Sequence, residues 1–213
     1  MSALATSPPR RRPSRAVARG FSTYFDRGLN HKAAKVMPGA FLVTGDDIAL
    51  CTLLGSCVAA CIRDPLRRIG GMNHFLLPGD PAEARADDED GAPGRYGVFA
   101  MELLINALLK RGARRESLEA KVFGGGQVMR SVSAVGVGAR NADFVASFLA
   151  AEGIPLLSSD LRGDYARRVV FFPVSGRVLC RQLERIEPAA LADEDRYRAT
   201  LSSRPPAGEI ELF

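Results

Sequence analysis

The sequence contains no tryptophan, only two histidines and four cysteines, and no long apolar run. Cys51, Cys57, Cys61 and Cys180 are too few and too clustered for a disulfide framework, and they favour a reducing compartment, the cytoplasm. Cys57 and Cys61 have no second pair of ligands near them, which argues against a zinc site. No segment approaches the ~20 apolar residues of a membrane-spanning helix, so we expect no membrane insertion.

Acidic residues are absent from Met1 to Arg19, which also lacks the apolar segment of a secretory signal. We expect residues 1–30 to form a disordered basic leader, with a transit peptide or a basic arm for an acidic partner as alternatives. Residues 1–35 carry a net charge of +7, so the +5 of the whole chain leaves −2 for the remainder. The folded body is therefore not basic, and we expect no nucleic-acid partner.

Short apolar runs between turn residues predict an α/β domain over residues 31–186, with strands at 40–44, 48–54, 57–62, 69–76, 119–123, 154–158, 167–173 and 177–183. Apolar spacing predicts one helix over Tyr96–Arg111 and a second from Asn141, as its N-cap, through Ala151. Gly124–Gly126 lacks the spacing of a phosphate loop and predicts a tight turn beside the site. Residues 78–94 are expected to form an exposed flexible loop, and residues 187–213 a polar tail that is frayed or docks a partner through Ile210–Phe213.

The stretch from Thr52 to Pro78 contains a candidate nucleophile, Cys57, and a candidate base, His74. Asp64 and Pro65 predict a turn between two strands. With a turn over Asp64–Arg67, an antiparallel hairpin places Cys57 directly opposite His74, at a distance that lets a thiol and an imidazole meet. A slip of one residue would separate the two side chains, because it turns them to opposite faces.

An imidazole next to a cysteine stabilises the thiolate as an ion pair and can later donate a proton. Gly55 and Ser56 are small and leave backbone N–H groups near Ser56 and Cys57 open to an oxyanion. Ser56, Thr52 and backbone carbonyls are all candidates for the group that orients His74. The alternative is a buried structural cysteine beside a core histidine.

Several segments together resemble the CheD family of chemoreceptor glutamine deamidases, namely Leu53–Val58, Arg63–Pro65, Gly70–Pro78, Tyr96–Gly97, Lys121–Gly125 and Gly138–Asn141. The similarity covers about residues 31–183 in the same order. It implies a layered α/β/β/α fold of mixed sheets, shared with the catalytic domain of cytotoxic necrotizing factor. It also implies a Cys57–His74 protein-glutamine deamidase. The thioester chemistry of such an enzyme requires no cofactor or metal, so we expect neither.

In better-known members of that family a threonine six residues before the cysteine completes a triad, and this chain has Cys51 there with Thr52 beside it. The resemblance further implies methyl-accepting chemotaxis receptors as substrates and a CheC-type phosphatase as a partner. Two other functions are alternatives. One is a non-catalytic adaptor that keeps the fold and binds receptor or phosphatase, which Cys51 and the Ile210–Phe213 peptide favour. The other is transfer of an amine by the same thioester.

Overall fold

The computed structural model describes residues 22–77, 92–128, 136–183 and 188–203. Within these ranges the strands, in chain order, are β1 Thr23–Asp26, β2 His31–Lys35, β3 Phe41–Thr44, β4 Ala49–Leu54, β5 Val58–Asp64, β6 Ile69–Asn73, β7 Glu119–Gly124, β8 Leu156–Leu161, β9 Ala166–Phe172 and β10 Arg177–Leu183. The helices are α1 Ala92–Lys110, α2 Val137–Ala151 and α3 Pro188–Ser203, with a short 3₁₀ turn at Arg115–Ser117.

The strands form two mixed five-stranded sheets. Sheet I has the order β1-β2-β4-β9-β10, and sheet II has the order β3-β6-β5-β7-β8. Each sheet contains one parallel pair, β2 with β4 in sheet I and β7 with β8 in sheet II. The expected α/β class with two mixed sheets is confirmed.

Strand β5 shows how the alternation of residues builds two cores, because successive side chains of a strand point to opposite faces. Val58, Ala60 and Ile62 pack with α1 and α2 on the outer face of sheet II. Cys57, Ala59 and Cys61 face sheet I and pack among a buried group that includes Leu50, Leu54, Met72, Leu76, Val169 and Phe171. The candidate nucleophile Cys57 therefore lies between the sheets.

Both ends of the folded unit differ from the sequence prediction. β1 lies inside the expected leader and pairs with β2. Helix α3 lies inside the expected polar tail, and its Glu194 is buried at 3% exposure. The sequence missed α3 because its polar composition gives it no apolar stripe. Residues 1–21, the acidic part of the predicted loop at 78–91, and residues 204–213 with the Ile210–Phe213 peptide lie outside the described residues.

Within the described ranges, no helix combines the length and the apolar character that crossing a membrane requires.

Candidate active site

The turn between β5 and β6 brings Cys57 and His74 together, but in a register that differs from the predicted one. Asp64 pairs with Ile69, and a backbone bridge joins Val58 to Phe75, so the partners are displaced by two residues. His74 therefore lies diagonally across from Cys57 instead of directly opposite. A shift of two preserves the face of every side chain, which is why the two still meet.

The displaced register has a local cause in the turn itself. The Asp64 carboxylate accepts hydrogen bonds from the backbone N–H groups of Leu66 and Arg67, at 2.9 and 3.0 Å. Arg68 adopts a left-handed conformation with φ of 57° and extends the turn to four residues between Asp64 and Ile69. Sequence reasoning identified the turn and missed Arg68, because a left-handed arginine carries no compositional signal.

Thr52 forms a hydrogen bond with the imidazole of His74. Its Oγ1 lies 2.8 Å from Nδ1 of His74 and donates a hydrogen bond to the carbonyl oxygen of Val36, also at 2.8 Å. A hydroxyl has one proton, and a carbonyl can only accept, so Oγ1 must accept the second bond from His74 Nδ1–H. This pattern fixes the tautomer and leaves the Nε2 lone pair free to accept a proton.

The other candidates for the third group lie elsewhere or contact other groups. Cys51 precedes Thr52 on β4 and points to the opposite face of sheet I, where it packs with Ala33 and Val170. The structure thus does not bring Cys51 to the site. Ser56 is buried beside Cys57, but its hydroxyl contacts α3. Of Cys51, Thr52 and Ser56, Thr52 is the residue whose side chain contacts His74.

Burial keeps both Cys57 and His74 neutral in this arrangement. Cys57 is 0% exposed, and desolvation, followed by the negative charge of Glu194, raises the pKa of its thiol well above the usual value. Desolvation lowers the pKa of His74 to about 4. The ion pair expected from the sequence is therefore not the favoured state here, because the site excludes the water that would stabilise two charges.

Glu194 of α3 occupies the backbone donors that precede the cysteine. Its Oε1 accepts a hydrogen bond from Gly55 N–H at 2.6 Å, and its Oε2 accepts from Ser56 N–H at 3.2 Å and Ser56 Oγ at 3.3 Å. A β-carbon added at Gly55 would lie 2.9 Å from Oε2, so glycine permits this approach. Sequence reasoning found the small residues at 55 and 56 and missed their carboxylate partner.

Asn141 ties the two halves of the site to α2. Its Nδ2 donates to the carbonyl of Ser56 and its Oδ1 accepts from Leu77 N–H, both at 2.8 Å. The prediction that Asn141 caps α2 is wrong, because the helix starts one turn earlier at Val137, after Gly136. A buried asparagine inside an otherwise apolar helix face is the signal that could have revealed this role.

The glycine run lies beside the candidate nucleophile Cys57, as predicted, but residues 125–128 are irregular backbone and not the predicted tight turn. Gly125 N–H donates to the carbonyl of Cys57 and Gly126 N–H to that of Gly55, both at 2.8 Å. Gly124 has φ of 112°, and a β-carbon there would lie 2.2 Å from the Cys57 carbonyl oxygen. Only glycine allows this contact, which holds the Gly55–Cys57 segment against β7.

Among the described residues, one group of side chains could hold a metal ion. Ligand atoms of Cys57, His74 and Glu194 lie within 4.8 Å of one another, and all three residues are buried. His74 Nε2 has no hydrogen-bond partner in the described part of the chain. A thiolate, an imidazole and a carboxylate are ligands that Zn²⁺ accepts, and they come from three elements distant in sequence, which spacing rules could not detect.

The sequence matches known proteins along most of its length. A family model described as CheD chemotactic sensory transduction matches residues 76–182. The chain is 51% identical over 191 residues to the probable chemoreceptor glutamine deamidase CheD 1 of Dechloromonas aromatica (strain RCB), which covers 89% of this chain and 93% of the relative. It is 49% identical over 193 residues to the probable chemoreceptor glutamine deamidase CheD of Herminiimonas arsenicoxydans, which covers 90% of this chain and 94% of the relative.

Among solved structures, the Bacillus licheniformis hypothetical protein YfiH is similar over 56% of this chain and 49% of its own, at 15% identity and a TM-score of 0.37. A similarity this low supports no conclusion about function. The sequence matches are decisive instead, because identity near one half over nine-tenths of the chain does not arise between unrelated proteins. The chain belongs to the CheD family.

Proposed function

We propose that this chain deamidates glutamine side chains of methyl-accepting chemotaxis receptors through a triad of Cys57, His74 and Thr52. The observation that carries the proposal is the contact of Thr52 Oγ1 with His74 Nδ1 beside a cysteine, since a nucleophile, a base and an orienting group are the minimum for acyl transfer. The names of the curated relatives supply the substrate class.

The first half of the reaction forms a thioester. The Cys57 sulfur attacks the amide carbon of the glutamine while His74 Nε2 takes the thiol proton. The backbone N–H groups of Gly55 and Ser56, which donate to Glu194 in this structure, are the donors for the oxyanion once Glu194 leaves them, and they replace the predicted pair at Ser56 and Cys57. His74 then gives its proton to the amide nitrogen, the carbon–nitrogen bond breaks, and ammonia departs.

The second half hydrolyses the thioester. Water adds to the thioester carbon as it gives a proton to His74, and the carbon–sulfur bond breaks. The proton returns to Cys57, and the receptor side chain is now a glutamate. Throughout, Thr52 accepts a hydrogen bond from His74 Nδ1–H and stabilises the imidazolium that forms in each half.

Location and partners follow as further parts of the proposal. The four cysteines form no disulfide, which supports the cytoplasm as the site of action. The family resemblance also supports regulation by a CheC-type phosphatase.

The test incubates the full chain with the cytoplasmic domain of a cognate receptor and follows ammonia release and glutamine-to-glutamate conversion by peptide mass spectrometry. Cys57→Ala should abolish both signals, while Cys61→Ala, on the same face of β5, should retain them. If the wild-type chain binds the receptor domain without converting any glutamine, the deamidase proposal fails and the non-catalytic adaptor is favoured. An amide cross-link between the receptor and an added amine, in place of glutamate, would indicate amine transfer.

A further inference from the structure

The contact between α3 and the loop before Cys57 is specific and nearly closed to water. The carboxylate of Glu194 uses both oxygens on three donors, Gly55 N–H, Ser56 N–H and Ser56 Oγ. One carboxylate oxygen also lies within 4.8 Å of the Cys57 sulfur and of an imidazole nitrogen of His74. Glu194 is only 3% exposed, and a glutamate is seldom buried to this extent unless its carboxylate is paired with donors.

Other residues of α3 support the same placement. Arg198, one turn after Glu194, donates from Nη2 to Ser56 Oγ at 3.2 Å. Tyr197 lies against Gly39, where an added β-carbon would approach its ring to 2.3 Å, and it also packs near Tyr96. Lys35 forms an ion pair with Asp193 at 3.7 Å. A frayed tail would not make these contacts, which come from fewer than two turns of α3. Two of the residues, Glu194 and Arg198, contact the loop beside Cys57.

The chemical identity of the bound group is informative. The product of glutamine deamidation is a glutamate side chain whose carboxylate must lie at the nucleophile, where the amide lay before. Glu194 presents that same group at the donors available to the oxyanion, next to Cys57 and His74.

We infer that α3 is an intramolecular product analogue: Glu194 fills the glutamine-binding position, the chain is self-inhibited, and a receptor segment must displace α3 before catalysis. The inference rests on the proposed function and adds regulation to the same site. Under this inference, Gly55 and Ser56 bind the carboxamide of the substrate glutamine, and α3 occupies that binding site in the free protein.

The electrostatics of the closed site agree with this assignment. The negative charge of Glu194 opposes ionisation of Cys57, whose pKa is already raised by burial. Removal of α3 would therefore both open the site and favour the thiolate.

The first experiment compares wild type, Glu194→Ala and the matched control Glu116→Gln, whose side chain is exposed on the 3₁₀ turn. We expect Glu194→Ala to raise kcat/KM on the receptor domain, and the rate of Cys57 alkylation by iodoacetamide, by about tenfold or more. A hydrogen bond to a charged group stabilises by at least the ~1.4 kcal/mol that corresponds to tenfold. The control should match wild type in both measurements.

The second experiment uses Glu194→Gln, which places a substrate amide in the site. The full-length variant should deamidate its own position 194 at a rate independent of protein concentration, detected as the mass gain of the peptide that contains this position. Cys57→Ala in the same chain should block the conversion, and Glu116→Gln should retain its amide.

The outcomes separate the inference from the proposed function. If wild type and Glu194→Ala show equal receptor turnover and equal alkylation, self-inhibition is overturned and the deamidase function is retained. The same conclusion follows if Glu194→Gln keeps its amide at position 194 in a preparation that deamidates the receptor. A folded Glu194→Ala that is slower than wild type would make Glu194 part of the machinery and would also overturn it. If no variant converts receptor glutamine, the proposed function fails, and alkylation alone then decides whether α3 closes the site.

Discussion

Replacement of Thr52 by valine tests the structural logic of the triad most directly. Valine preserves the branched shape at a position that is 3% exposed, and it removes only the hydroxyl. That hydroxyl makes two hydrogen bonds of 2.8 Å, to His74 Nδ1 and to the Val36 carbonyl. The substitution therefore leaves a buried donor and a buried acceptor without their partner.

Both the rate and the stability should fall by amounts that can be stated in advance. His74 carries a proton during each half of the reaction, and a hydrogen bond to a charged group contributes about 1.5–3 kcal/mol. Since 1.36 kcal/mol is tenfold in rate, kcat for Thr52→Val should fall roughly tenfold to a hundredfold. The free energy of unfolding should fall by about 1–3 kcal/mol, the cost of an unsatisfied buried group.

The assay measures kcat by ammonia release on the receptor domain and stability by urea denaturation. Cys51→Ala is the matched control, because Cys51 neighbours Thr52 on β4 but faces away from His74. In a His74→Ala background, Thr52→Val should change kcat by less than about twofold, since residues that act as a unit are not additive.

Two results would refute this reasoning. A wild-type rate in a folded Thr52→Val protein would remove Thr52 from the triad. An equal loss of rate in Cys51→Ala would show that β4 acts on the site through its packing and not through the threonine hydroxyl.

Three further predictions follow from the buried polar groups. Asn141→Ala loses two buried hydrogen bonds, so the free energy of unfolding measured by urea denaturation should fall by about 2–3 kcal/mol. The value of kcat should also fall, because Asn141 no longer holds the carbonyl of Ser56. An unchanged denaturation midpoint would contradict this prediction. His74 binds its proton less well in the folded state, with a pKa of about 4 against 6.5, so its contribution to stability is complete above pH 6.5 and is lost as the pH falls towards 4. Wild type should lose up to about 3 kcal/mol more than His74→Gln over that range, and parallel curves would contradict the burial argument. Micromolar Zn²⁺ should inhibit the enzyme, and EDTA should restore its activity. Inhibition should be weaker in Glu194→Gln than in the control Cys61→Ala. Equal inhibition of the two variants would show that Glu194 is not a zinc ligand.

Local patterns in the sequence were sufficient for most of the fold. The apolar runs of β4, β5 and β9 and the helical spacing of α1 gave their positions within a few residues. The alternation in β5 placed Cys57 with Ala59 and Cys61 on one face, as the packing between the sheets confirms. These predictions depend only on residues that are neighbours in sequence, so the spacing of apolar residues is enough to make them.

The sequence was less informative where contacts join distant segments. It offered Thr52, Ser56 and backbone carbonyls as equal candidates to orient His74, and only the pairing of β4 with β2 and β9 decides that Thr52 faces inward. It predicted Asn141 as a cap, because asparagine is a favoured N-cap residue, whereas its contacts with Leu77 and Ser56 join segments far apart in the chain.

By itself, then, the sequence determined the α/β class and the approach of Cys57 to His74, because a turn and the face of a strand are local properties. Its resemblance to the CheD family supplied the arrangement in two mixed sheets. The tertiary structure decided the register of the β5–β6 turn, the choice of Thr52 over Cys51, and the burial of Glu194 against Gly55 and Ser56. Those features depend on a left-handed arginine, on the order of strands in a sheet, and on a helix more than 130 positions along the chain from the loop it contacts, given the separation of 139 between Gly55 and Glu194. No local pattern encodes such distances, so Glu194, the middle one of three consecutive acidic residues, became visible as a contact of the site only in three dimensions.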